Sequence, residues 1–225
     1  MRIRPAPNRD PWSWVAVACA LGFLALAVIV NGQGSVAFDQ PAIDAVQGLP
    51  IASGTWEAIT AAGGVILIPI GVALVAWLLL KRQYRLALVV AVALIGGTLF
   101  TEAVKQLVER PRPPGQPVVL APGYSFPSGH TLNGTVTYGL VAFVVWRSAL
   151  PLAARRAIVG GLVALIAAIG LSRIALGVHY PSDVLAGWLA GTAIVATVVV
   201  VARVLDGTRP AAGSPPGIDA ARPPA

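Results

Sequence analysis

The sequence predicts an all-α integral membrane protein, a bundle of six transmembrane helices. Three observations predict it: a composition that water cannot accommodate, six apolar runs of near-span length, and basic residues gathered at alternate connections. Of 225 residues, 56% are hydrophobic and 11% charged, and the mean hydropathy is +0.78. A water-soluble fold of this length cannot hide so much apolar surface, so lipid must be the solvent for most of it.

A helical span needs about 20 largely apolar residues. The runs cover residues 12–30, 64–80, 86–104, 131–146, 157–171 and 184–204. Arginines precede the first run as they would a signal peptide, but it is longer than a usual signal core and no A-x-A cleavage pattern follows; a retained first span is expected. The connection over residues 31–63 predicts a short interfacial helix at 39–49, with Asp39 as its cap, Pro41 in its first turn, and Ile43, Val46 and Leu49 facing lipid. Pro69 in the second run is tolerated as a kink. The fourth run, at about 1.5 Å per residue, is short for a bilayer and is expected to begin below its surface. Residues 1–11 are read as a cytoplasmic segment, 12–205 as one membrane domain, and 206–225, rich in Pro, Ala and Gly, as a disordered cytoplasmic tail.

Orientation follows from the basic residues. Twelve of the sixteen fall at the N-terminus, at the second-to-third and fourth-to-fifth connections, and at the C-terminal end. The positive-inside rule makes that side cytoplasmic, with both termini inside. Lys105, Arg110, Arg112 and Arg173 are the exceptions, each at the outer end of a span. Misplaced cations gathered at one face suggest an anion site; their plainer alternative is to anchor the spans or pair with Glu102 and Glu109. The net charge of +7 could also fit nucleic acid, but charge is too sparse and too dispersed for that, and no nucleic-acid partner is expected. Cys19 is the sole cysteine, which excludes an intrachain disulfide or thiolate metal cluster.

Three stretches meet at this outer face: Lys105 to Pro113, Phe126 to His130, and Ser172 to Asp183. His130 and His179, the two histidines of the chain, are both within them. Lys105, Arg112 and Arg173 supply cations for phosphate oxygens. Ser128 and Gly129 open a helix, whose N-terminal amides and dipole favour an anion. Phosphoryl transfer needs such neutralisation most in its transition state. Asp183, four residues beyond His179, can fix the imidazole tautomer and leave the other nitrogen free to attack phosphorus. His130 can protonate the leaving oxygen and then activate water. Each piece alone has an ordinary structural reading, as a helix start or a loop histidine; their order and shared face carry the functional one.

On these residues the sequence resembles the type 2 phosphatidic acid phosphatase superfamily, which includes bacterial lipid phosphatases and vanadium haloperoxidases. Its pattern, K-x6-R-P, P-S-G-H and S-R-x5-H-x3-D, reads here as Lys105 to Pro113, Pro127 to His130, and Ser172 to Asp183, without departure. The resemblance spans residues 13–204 and implies a six-helix core with its active site at one membrane face, with no metal or other cofactor required. It implies a phosphohistidine at His179 supported by Asp183, His130 as acid and then base, and phosphate held by Lys105, Arg112, Ser128, Gly129 and Arg173. Implied substrates are lipid phosphates in the bilayer: undecaprenyl diphosphate first, for an outward site in a small six-span protein, then phosphatidylglycerophosphate and phosphatidic acid. Lipid-length spans argue against the haloperoxidases, which are typically soluble. A transporter or non-enzymatic lipid-phosphate binder would place ionisable groups near the bilayer midplane, whereas here they collect at span ends.

Overall fold

The structure, a computed structural model, describes residues 10–33, 36–115, 117–119 and 121–207. The expected N-terminal segment up to residue 9 and the tail beyond 207 lie outside the described residues. Eight α-helices follow one another: α1 (Pro11–Gln33), α2 (Asp39–Gln47), α3 (Ser53–Ala61), α4 (Leu67–Leu80), α5 (Tyr84–Val108), α6 (Gly129–Trp146), α7 (Leu152–Ala175) and α8 (Pro181–Gly207). No strand occurs among the described residues. Four helices, α1, α5, α7 and α8, are long and apolar enough to cross a membrane, and α4 is a shorter apolar helix of 14 residues.

Local chemistry explains the ends. Pro11 opens α1, where a missing N–H is harmless, and Asp10 Oδ1 accepts the Trp12 amide at 3.0 Å. Pro181 opens α8 in the same way, with Asp183 in its first turn. At the end of α5, Glu109 turns left-handed (φ 49°) and donates its amide to the Lys105 carbonyl, closing the helix before the Pro-rich segment. The outward faces stay apolar: Leu88, Val92, Ile95 and Leu99 form an exposed stripe along α5, the pattern of a helix whose solvent is hydrocarbon.

Among the described helices α8 is central, packing against α1, α2, α5, α6 and α7. Without a hydrophobic drive between helices in lipid, close backbone approach does the work. Gly187 and Gly191 supply it against α6. A β-carbon on Gly191 would lie 2.6 Å from Thr135 Cβ, and one on Gly187 would lie 2.9 Å from Thr131 Cβ. Phe126, Leu132, Val136, Leu140, Ala186 and Val198 fill the main core around this contact.

Two expectations need correction. The interfacial helix exists as α2, but Ile43 and Val46 do not face lipid. Ile43 is buried against Ile174 and Val184, with Val46 packed on the same cluster, and Leu49 alone of the three is exposed. Gln47 Nε2 also reaches the Ile174 carbonyl at 3.4 Å, so α2 is docked on α7 and α8. The second apolar run begins its helix at Leu67 rather than at Gly64, because Gly63 and Gly64 form a turn pressed against His130.

Candidate active site

The end of α5 and the starts of α6 and α8 meet the end of α7 at one end of the bundle, with α2 and α3 over them. His179 lies in the α7–α8 turn and is buried. Its Nδ1 is 3.4 Å from Asp183 Oδ2, within charge attraction but not aligned as a hydrogen bond. Its Nε2 is 3.3 Å from Arg112 Nη1. Asp183 is held from both sides: Oδ2 accepts the Tyr180 amide at 2.9 Å, and Oδ1 pairs with Arg110. Burial pushes the His179 imidazole down to about 4; Asp183 opposes this, and the charges of Arg173 and Arg112 add to it.

His130 is the second residue of α6. Arg173, His179, Lys105 and Arg112 all lie within electrostatic range of it, so the residues singled out by charge and spacing converge on one place. A β-carbon on Gly64 would come 3.2 Å from His130 Nε2, so this turn walls the imidazole on one side. Lys105 pairs with Glu102 at 2.9 Å. Its Nζ would stand 3.8 Å from a β-carbon on Gly129, which puts the ammonium beside the N-terminus of α6. Arg173 Nη1 donates to Thr60 Oγ1 at 2.7 Å, and its Nε is buried without a hydrogen-bond partner among the described residues.

Ser128 departs from its expected use. Its amide donates to the Asp183 carbonyl at 3.1 Å, and its Oγ accepts from Thr131 Oγ1 at 2.9 Å. The amides left to an anion are therefore those of the first helical turn from Gly129 onward, which have no carbonyl in their own helix. Arg110 also departs. Counted from sequence among the outer cations, its guanidinium is buried between Asp39 and Asp183 and contributes no free positive charge to the site. Asp39 and Thr60 were not legible as site neighbours from sequence, and neither were the contacts that Tyr180 and Ser182 make within their stretch.

A family model described as the PAP2 superfamily matches residues 86–205, just over half of the chain. The chain belongs to the PAP2 superfamily. Within it, the chain is 36% identical over 104 residues to phosphatidylglycerophosphatase B of Bacillus subtilis (strain 168), an alignment covering 44% of this chain and 50% of that protein. The chain thus spans about half the length of that curated relative. A crystal structure of a transmembrane PAP2 type phosphatidylglycerolphosphate phosphatase from Bacillus subtilis superposes with a TM-score of 0.75 at 25% identity, covering 87% of this chain and all of that one. LpxE of Aquifex aeolicus shares the fold, with a TM-score of 0.58 at 22% identity over 75% of this chain and 98% of its own. Asp39 and Thr60 lie N-terminal to the PAP2 match.

Proposed function

We propose that this PAP2 protein is a membrane lipid phosphatase with six spans, an outward-facing active site and His179 as its nucleophile. The observation that carries the reading is the convergence of His179, His130 and three cations at one end of an apolar bundle. His179 Nε2 attacks phosphorus as the bond to the lipid oxygen breaks, and His130 gives that oxygen its proton. Water, deprotonated by His130, then cleaves the P–N bond and releases phosphate. Asp183 offsets the charge that develops on the imidazole, while Lys105, Arg112, Arg173 and the α6 N-terminus offset that on the equatorial oxygens. The unpartnered Nε of Arg173 is one donor suited to them.

The short helices support a recessed site. At about 1.5 Å per residue, α4 and α6 reach roughly 21 and 27 Å, less than the ~30 Å hydrocarbon core. Their N-termini both border the site, so the phosphate-binding end sits below the surface that the longer helices reach. The basic residues Lys81 and Arg82 in the α4–α5 turn, Arg85 in the first turn of α5, Arg147 after α6, and Arg155 and Arg156 in the first turns of α7 lie at the opposite end, which supports a cell-membrane protein with cytoplasmic termini. A reporter enzyme fused after Arg209 is expected to show cytoplasmic activity; an extracytoplasmic signal there would reverse the orientation.

Likeness to Bacillus subtilis phosphatidylglycerophosphatase B in sequence and to a Bacillus subtilis phosphatidylglycerolphosphate phosphatase in structure supports phosphatidylglycerophosphate as the first substrate, ahead of undecaprenyl diphosphate. In detergent with EDTA present, purified protein is expected to release phosphate from the former fastest across a panel that includes both and phosphatidic acid. Release from none of them, with lipid transfer between proteoliposome leaflets instead, would replace the phosphatase by a transporter.

A further inference from the structure

Behind Asp183 lies a second carboxylate that the reaction as described does not use. Asp39, the first residue of α2, is 1% exposed. Its Oδ2 accepts from Arg110 Nη2 at 2.9 Å and from Ser182 Oγ at 2.8 Å. Its Oδ1 accepts the Ser182 amide at 2.8 Å. Arg110 Nη1 turns the other way, to Asp183 Oδ1 and to Ser182 Oγ at 2.8 Å, with its guanidinium 3.9 Å from the Tyr180 ring centroid. One cation is thus shared by two buried carboxylates, and the other oxygen of Asp183, which accepts the Tyr180 amide, faces His179 Nδ1.

Burying this group is a poor way to gain stability, because the desolvation of three charges offsets most of their attraction. Its arithmetic is better suited to catalysis. With all three ionised, the group carries one net negative charge, and the phosphorylated imidazole of His179 is the positive partner that arrives during turnover. Were Asp39 absent, Asp183 would be the carboxylate left to Arg110 among the described residues. That pair would close to neutrality, and less negative charge would face His179.

We propose that Asp39, through Arg110, is a positioning residue that sets the charge and orientation Asp183 presents to the nucleophile, so that turnover requires α2 to be docked. The inference rests on the phosphatase reading above. Its rival is a staple that merely holds the loop helix on α8.

The test uses the full chain in detergent with phosphatidylglycerophosphate as substrate. In Asp39→Asn, kcat is expected to fall about 10- to 100-fold, the usual range for partners one step behind a reacting group, with KM within about threefold. In an Asp183→Asn background the same change should cost less than about twofold more, because its route to His179 is already cut. A staple would cost the same factor in both backgrounds, and that result, or an unchanged kcat in Asp39→Asn, overturns the inference. Should Asp39→Asn not fold, Ser182→Ala, which removes the hydroxyl's hydrogen bonds to Asp39 and from Arg110 while keeping both charge pairs, takes its place. Its kcat should fall by about two- to tenfold, the scale of lost hydrogen bonds, with the same non-additivity; equal losses in both backgrounds, or none, count against the proposal. A wild type inactive on every lipid phosphate overturns the phosphatase reading, an active His179→Ala overturns the nucleophile assignment, and either result takes this inference with it. An active wild type, an inactive His179→Ala and a full-rate Asp39→Asn overturn the inference alone.

Discussion

Replacing His179 by alanine is expected to abolish phosphate release, with a loss on the order of 10⁴-fold or more in kcat, as when a nucleophile is removed. Alanine leaves Arg112, Arg173 and Lys105 in place, so lipid phosphate should still bind. His130→Ala should lower kcat by about 10²- to 10⁴-fold, the range for general acid–base groups, with KM little changed. Full turnover in the first variant would remove the nucleophile assignment; full turnover in the second would remove the acid. The pH dependence has a definite sign. Burial disfavours the charged form of His179 and pushes its pKa down to about 4, so the imidazole proposed as nucleophile is neutral throughout the neutral range. Its limb in kcat/KM should appear as activity lost when pH falls through about 4, well below the 6.5 of a free imidazole. The folded-state value lies below the unfolded one, so on acidification the unfolded chain takes up this proton first. Stability from His179 is therefore complete above about 6.5 and is lost as pH falls toward 4, which thermal unfolding in detergent between pH 7 and 4 can follow.

Gly187→Ala is expected to damage both stability and turnover by one displacement. The new β-carbon would stand 2.9 Å from Thr131 Cβ, 3.0 Å from the Ser128 carbonyl oxygen and 3.1 Å from the Leu132 amide nitrogen. Two of those atoms are backbone, so no rotamer change relieves the clash, and α8 must move off the first turn of α6. Overpacking of this kind costs about 1–3 kcal/mol. That turn carries Ser128, Gly129 and His130, while α8 carries Asp183, so the shift also separates His130 from Asp183, the proposed acid from the carboxylate beside the proposed nucleophile. Gly160→Ala is the control, since nothing lies within 4 Å of its added carbon. Equal melting temperatures and equal kcat for the two variants would contradict the close-approach argument.

The helices and the convergence were legible because they depend on patterns short in sequence. Apolar runs locate α1, α5, α7 and α8 within a few residues, and charge alternation gathers Lys105, Arg112, His130, Arg173 and His179 at one end. What was not legible depends on partners far apart. Asp39 is 71 residues from Arg110 and 143 from Ser182, and nothing local to Asp39 distinguishes a buried ion-pair member from a helix cap. The same gap explains Ile43 and Val46: an amphipathic face predicts burial but cannot say whether lipid or protein covers it. Ser128 was read from its place at a helix start, whereas the Asp183 carbonyl that takes its amide belongs to another helix. Arg110 and Arg112 sit two residues apart in the same Pro-rich segment with opposite fates, which the order of residues alone does not separate.

Arg112 has five N–H donors, and the protein already engages its guanidinium fully: Nε with the Gly123 carbonyl, Nη2 with those of Pro122 and Tyr124, Nη1 with that of Val178 and with His179 Nε2. In the tautomer that places the proton on Nδ1, the last of these caps the lone pair to which the proposed mechanism gives the attack on phosphorus. A phosphoryl oxygen arriving at Nη1 exchanges one acceptor for another and gains little in the ground state. Once Nε2 bonds to phosphorus its lone pair is spent, and that donor passes to an oxygen whose charge is rising. On the proposed mechanism the residue is in effect a latch on its nucleophile, released by the bond it helps to form, so its contribution is expected in kcat rather than in KM.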